Sequence, residues 1–238
     1  MKKVIAAMTL AAAVLLSGCG LNDGSGKSRS ITDFNSCITL KAEDENLLTE
    51  CTEIAEARLK SEYPQLECKV SYKWRDAFAY ISFDRPENWN DSTLDSLCSC
   101  GKVTFRKGTD TVTDPDGNTV PAGEIVLDNN DIAAAHMELM LSDNSQEYAV
   151  DVTLFIAGSN KLAAATNELA GTDVPLSIWL DNELISTPTV NSVITDGKAV
   201  ITGNFTESSA LELAAAMSSG ALPCELKIID KRIGDEEK

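Results

Sequence analysis

Residues 67–83 read ECKVSYKWRDAFAYISF. From Glu67 to Trp74 the residues alternate, with Cys68, Val70, Tyr72 and Trp74 on one face, the period-two pattern of a half-buried strand. Arg75-Asp76 reads as a turn, and Ala77 to Phe83 returns as a second strand. Upstream, Asp44 to Ser61 places Leu47, Leu48, Cys51, Ile54, Ala55 and Leu59 at three- and four-residue spacing. That is one apolar stripe of a helix, closed by Pro64. Ile38 to Lys41 precedes it as a short strand. Downstream, Asp91 or Ser92 caps a short helix through Leu97, and Val103 to Arg106 forms another strand. The order β-α-β-β-α-β predicts a ferredoxin-like unit built from two βαβ segments.

Past this unit, Thr109 to Gly123 carries Asp114-Pro115-Asp116-Gly117 and Pro121, which is strong turn chemistry. It reads as a hairpin or linker between subdomains. It is not a calcium loop, because Thr119 stands where that loop needs glycine and Ile125 where it needs glutamate. The second half mixes strands and helices again. Ala135 to Met140 and Glu147 to Ile156 are strands, the latter with Tyr148, Val150, Val152, Leu154 and Ile156 on one side. Asn160 to Leu169 is helical and ends at Gly171. Leu176 to Leu180 and Glu183 to Ser186 form a hairpin over Asp181-Asn182, residues that tolerate positive φ. Ala199 to Gly203 is a strand. Thr206 caps a helix from Glu207 to Ser219, Gly220 ends it, and Glu225 to Asp230 is the last strand. The fold class is therefore α+β.

The chain has 238 residues, 43% of them hydrophobic, which is enough to build one large core or two small ones and rules out wholesale disorder. Its formal charge of −17 argues against holding nucleic acid or an anionic membrane face through charge. The single histidine, His136, leaves few metal or acid–base constellations, and its place on a predicted strand gives it a structural role. Trp74, Trp89 and Trp179 read as core or edge packing. Gly26-Lys27-Ser28 is not a phosphate loop, since Leu21 stands where the first glycine belongs.

The N-terminus is an address. Lys2 and Lys3 precede an uncharged run from Val4 to Leu16, followed by Leu16-Ser17-Gly18-Cys19. This is a secretory signal peptide, and its end resembles a bacterial lipobox. The resemblance implies cleavage before Cys19 and acylation of its thiol. At about 0.8 kcal/mol per buried methylene, two or three acyl chains hold a protein on a membrane durably. No other run in the sequence approaches the ~20 apolar residues needed to cross a bilayer. Residues 1–19 are thus signal and lipobox, and residues 20–30 a flexible Gly/Ser-type tether.

Six further cysteines remain: Cys37, Cys51, Cys68, Cys98, Cys100 and Cys224. An even number in an exported chain allows up to three disulfides, with 15 connectivities. Buried free thiols are the alternative. A zinc site fits poorly, because no C-x-x-C pair exists. A reactive catalytic cysteine lacks a partner base beyond His136.

The stretch from Pro175 to Asp230 carries a string of landmarks: Ile178-Trp179-Leu180-Asp181, Ser186-Thr187-Pro188, Ile194-Thr195-Asp196-Gly197, Ile201-Thr202-Gly203, Phe205-Thr206 and Ser219-Gly220-Ala221-Leu222-Pro223. In order and spacing it resembles the end of the first large extracytoplasmic domain of SecD and SecDF, accessory membrane components of the bacterial Sec translocon. Residues 131–166 resemble the head subdomain of that domain, and the β-α-β-β-α-β half resembles its base. The resemblance implies a ferredoxin-like base at 31–108 plus 223–238, with an inserted α+β head at 120–222. It also implies a module that contacts translocating polypeptide. The family's proton-coupled role belongs to transmembrane helices and is not implied for this sequence. Asp181-Asn182 stands where the family has Asp-Gly.

These readings predict a non-enzymatic lipoprotein on the extracytoplasmic face of the bacterial cell membrane, without cofactor or metal. Its expected partners are the membrane, through the lipid anchor, and translocating polypeptide or Sec translocon components. An envelope adaptor that reuses the same fold is the alternative, since fold does not fix function. An enzyme with paired carboxylates ranks third, because solvated surface charge explains the acidic residues equally well.

Overall fold

Local chemistry accounts for most element boundaries in the computed structural model, which describes residues 29–142 and 145–234. The signal peptide, Cys19 and the tether through residue 28 lie outside the described residues. The elements are β1 (Ser36–Ala42), α1 (Leu48–Glu62), β2 (Cys68–Lys73), β3 (Phe78–Phe83), α2 (Ser92–Cys98), β4 (Val103–Lys107), β5 (Thr111–Thr113), β6 (Thr119–Pro121) and β7 (Ile125–Asp128). They continue as β8 (Ile132–Ser142), β9 (Ser145–Leu154), α3 (Ile156–Leu169), β10 (Leu176–Leu180), β11 (Glu183–Ser186), β12 (Lys198–Phe205), α4 (Glu207–Ser219) and β13 (Leu226–Arg232). The Asp44 carboxylate accepts from the Asn46 N–H at 2.9 Å, capping a 3-10 turn that leads into α1. Thr206 caps α4 by accepting from Ser209 N–H, and the Ser209 hydroxyl accepts from Thr206 N–H in return.

The first sheet has strand order β13-β1-β3-β2, every neighbour antiparallel. Helix α1 packs on it, and Ile38, Leu40, Leu48, Leu59, Ile81, Phe83 and Leu97 form its core with Leu222 and Leu226. This is the ferredoxin-like arrangement that the sequence predicts, with one reassignment. The fourth strand is β13, paired with β1 from Cys37↔Arg232 to Ala42↔Leu226. Val103 to Arg106, read as the closing strand of the β-α-β-β-α-β unit, is instead β4, which pairs with β10 and β7 in a second sheet ordered β11-β10-β4-β7. Its Val103 and Phe105 side chains join a separate core with Leu127, Val150, Val152, Leu162, Ile178, Leu213 and Met217. Both β4 and β13 are strands that follow a helix, so sequence order alone assigns the nearer one. Packing chose the farther.

A third sheet, β12-β9-β8, carries the long β8–β9 hairpin, and β5–β6 forms a separate small hairpin within the turn-rich 109–123 segment. The β10–β11 turn places Asp181 at φ +54°, the left-handed conformation expected from Asp181-Asn182. Trp179 is buried and donates from Nε1 to Ser177 Oγ at 2.8 Å, while Trp89 stacks between Tyr63 and Phe83 in the base. Trp74 packs at the edge of the base sheet and not in its core. It stands 65% exposed, stacked only on Tyr72 at 4.7 Å. His136 is exposed on β8, opposite Asp151. Among the described residues no helix is long and apolar enough to cross a membrane.

Candidate functional site

Two places concentrate features that packing alone does not require: the tip of the β8–β9 hairpin, and the crossing where the chain leaves the base and returns to it. On β8, Ala135, Met137, Leu139 and Leu141 share one face by strand periodicity. Ala135 is fully packed and Met137 partly so, but Leu139 is 42% and Leu141 69% exposed. The stripe thus runs out of the core onto the surface. Tyr148 opposes Leu139 from β9 and is half-buried. Met140, on the other face, is also exposed.

β8 is the outer strand of its sheet. At Ala135 its free edge is closed by α4, where the Ser218 hydroxyl accepts from Ala135 N–H at 3.0 Å and donates to Ala135 C=O at 2.8 Å. Met137, Leu139 and Leu141 follow Ala135 at two-residue steps on that same edge, and among the described residues no strand pairs with it. The arrangement offers backbone donors and acceptors beside an apolar stripe, which is what an extended peptide needs to add as a further strand. Glu138 and Glu147 flank the stripe on the two strands.

The crossing is organised by Arg58 of α1, only 2% exposed. Its Nη1 donates to Ser96 C=O at 3.0 Å and Ser99 C=O at 2.7 Å, where the chain leaves the base after α2. Nη2 donates to Cys100 C=O at 3.1 Å and to Gly220 C=O at 3.0 Å, and Nε to Ser219 Oγ at 3.2 Å. The last two lie where the chain returns after α4. One guanidinium therefore holds both connections. Burial draws its pKa below the ordinary guanidinium value, with Asp181 opposing that shift. Gly101, at φ +70°, is required here, because a Cβ would occupy the position of Arg58 Nη2.

Asn129 adds a second clip. Its Nδ2 donates to Gly101 C=O and Ala216 C=O, and its Oδ1 accepts from Val103 N–H. Asp181 accepts from Lys102 N–H at 2.8 Å, and Leu222 N–H donates to Cys100 C=O at 2.8 Å, joining the two connections directly. Beside this crossing lies an open acidic cleft of about 610 Å³, lined by Glu50, Glu53, Lys102 and Asp128 among others.

The cysteines named from the sequence fall into distinct settings, all as thiols. Cys37 on β1 accepts from Ser82 Oγ at 3.5 Å. Cys68 on β2 donates to Glu56 Oε1 at 3.4 Å, and burial with that carboxylate pushes its pKa up to about 12. Cys98 ends α2 half-buried, and Cys100 is exposed beside Asp181. Cys51 and Cys224 are brought together, with their sulfurs 3.6 Å apart. Cys19 lies outside the described residues. Among the described residues no group of three or more His, Cys, Asp or Glu is placed to hold a metal ion.

Sequence reasoning missed Arg58 and Asn129. Arg58 does leave a signal, since it sits three residues after Ala55 and seven after Cys51, on the apolar face of α1. Asn129 leaves none, because an asparagine in a turn is ordinary turn chemistry.

Residues 108–224 match the family model described as SecDF, P1 head subdomain. The protein translocase subunit SecD of Synechocystis sp. is 44% identical over 80 residues, which is 32% of this chain and 17% of that protein. SecD of Rickettsia felis is 54% identical over 57 residues, 24% of this chain and 11% of that protein. SecD of Leptotrichia buccalis is 43% identical over 84 residues, 35% and 20% respectively. The chain therefore spans a fifth or less of the length of these relatives. Among solved structures, SecDF in its super-membrane-facing form superposes with a TM-score of 0.65 at 21% identity, over 82% of this chain and 30% of that one. A second, of a membrane component SecDF that enhances protein export, gives 0.59 at 20% identity, over 82% of this chain and 98% of that one. The chain resembles the first extracytoplasmic domain of SecD and SecDF in sequence over its head and in fold over most of its described length.

Proposed function

From this likeness to an extracytoplasmic domain of the export machinery, we propose that the protein is a lipid-tethered module that holds extended polypeptide on the outer face of the bacterial cell membrane. The anchor is the acylated Cys19, followed by the tether, and the working surface is the tip of the β8–β9 hairpin. The observation that carries this reading is the apolar stripe of Leu139 and Leu141 beside the open edge of β8. An unfolded chain emerging from a translocon has unpaired backbone groups and uncovered apolar side chains, and this edge complements both. The closing of the edge at Ala135 by Ser218 sets where an added strand would have to stop.

The test is site-specific photocrosslinking. A photoreactive residue replacing Leu141 should capture secreted chains in transit, and the same probe replacing the exposed Trp74 of the base should capture far less. Equal capture at both positions, or none at Leu141, rejects the reading. Capture of one folded envelope protein in place of secreted chains would support an adaptor. Anchoring is tested separately. Cys19→Ala should lose metabolic palmitate label and release the protein from the membrane fraction.

A further inference from the structure

The only two cysteine sulfurs in contact among the described residues belong to Cys51 and Cys224, at 3.6 Å. The two residues are 173 positions apart. Cys51 lies on α1 of the base and is fully buried. Cys224 lies between α4 and β13, on the connection that returns the chain to the base. A disulfide requires its sulfurs at about 2.05 Å, so closure asks for roughly 1.5 Å of approach, within the reach of χ1 rotation on the partly exposed partner.

The other thiols are placed elsewhere. Cys37 pairs across from Ser82 and Cys68 across from Phe83, so β3 stands between them and separates their strands by about 10 Å. Cys68 is engaged with Glu56, and Cys98 is turned toward the Ile228 backbone. The sulfur contact thus singles out one pairing among those that sequence counting leaves open.

We propose that Cys51 and Cys224 form a dithiol–disulfide couple that, when oxidised, staples the returning connection of the head to helix α1 of the base. The oxidant is a disulfide compound reached by thiol–disulfide exchange. The more accessible Cys224 sulfur, as thiolate, attacks the oxidant. A mixed disulfide forms and one thiolate leaves. Cys51 then loses its proton to solvent and attacks the Cys224 sulfur, forming the internal bond and releasing the second thiolate. Two protein thiols are oxidised and one external disulfide is reduced to two thiols. Burial raises the Cys51 thiol above the ordinary thiol value, which makes the second step the slow one.

The position gives the bond its consequence. Arg58 sits seven residues after Cys51, two turns along the same face of α1, and holds both connections by hydrogen bonds. The disulfide would add a covalent hold on the returning connection, turning a crossing that can be pulled apart into one that cannot.

The full chain, purified reduced, is exposed to oxidised glutathione, alkylated and mapped by peptide mass spectrometry. The expected product is one internal cross-link joining the Cys51 and Cys224 peptides, two fewer alkylatable thiols, and a melting temperature about 5–10 °C above that of the reduced protein. Cys51→Ala should stop at the first step and retain one glutathione on Cys224. Cys224→Ser should form no internal cross-link and show no redox-dependent melting shift. A cross-link between other cysteines, a Cys224 that stays fully alkylatable after oxidation, a Cys51→Ala protein that takes up no glutathione on Cys224, or an oxidised protein that melts with the reduced one would each overturn the proposal.

Discussion

Arg58 shows how one residue can decide the behaviour of a junction. It has no carboxylate within hydrogen-bonding distance among its described contacts and spends its donors on backbone carbonyls from two chain segments far apart in sequence. Replacing it takes the donor from Ser99 C=O, while Cys100 C=O keeps Leu222 N–H and Ser96 C=O keeps the Ser99 hydroxyl. A buried acceptor left unpaired costs about 1–3 kcal/mol. Arg58→Met should therefore destabilise the fold by about 1–3 kcal/mol in chemical denaturation. Arg58→Lys should recover only part of this, because a single ammonium cannot reach both connections as a planar fork does. An Arg58→Met protein as stable as the parent would mean that the crossing is held by Asn129 and the apolar contacts alone. The same logic makes Arg58 and Gly101 inseparable, since the guanidinium occupies the space that any other residue at 101 would fill.

Among the elements, α4 is the one whose ends were set most locally. Thr206 starts it through a reciprocal bond with Ser209, and Gly220 follows its last residue at positive φ. Thr206→Ala should cost about 1 kcal/mol, read as a shift in the urea midpoint with an unchanged slope. The helix matters beyond its own stability, because its far end carries both Ser218, which closes the β8 edge, and Ser219 and Gly220, which meet Arg58. A frayed α4 would loosen the proposed binding edge and the crossing together. The β8–β9 hairpin is the opposite case. Its alternation was legible in the sequence, but alternation continues through Leu139 and Leu141 whether or not anything covers them. Period two tells which face a residue is on and is silent about where the core ends.

Over the whole molecule, the chain closes on itself. β1 near the start pairs with β13 near the end, and the entire second core lies between them in sequence. Removing residues 224–238 would strip β1 of its outer neighbour and the base core of Leu226, a side chain whose burial contributes about 1.5–3 kcal/mol. Hydrogen exchange should then show lost protection in β1 and β3, with protection kept at β9 and β10 in the other core. Uniform protection in the truncated chain would show that β13 is dispensable. Because β13 follows the head in sequence, the base cannot complete its sheet until the head has been synthesised, which couples the two cores in folding as well as in place.

Residue types and their periods were sufficient to determine the helices, most strands, the capped start of α4, the left-handed turn at Asp181 and the family likeness, since each rests on neighbours within a few positions. That the last strand rejoins the base followed from the family likeness. Tertiary structure alone decided that β4 serves the other core, that Cys51 meets Cys224, that Arg58 pins both connections, and that the apolar stripe of β8 runs past its cover. Each of these is a contact between segments far apart in the chain. Several segments of similar chemistry compete for such contacts, and only simultaneous packing in three dimensions selects among them.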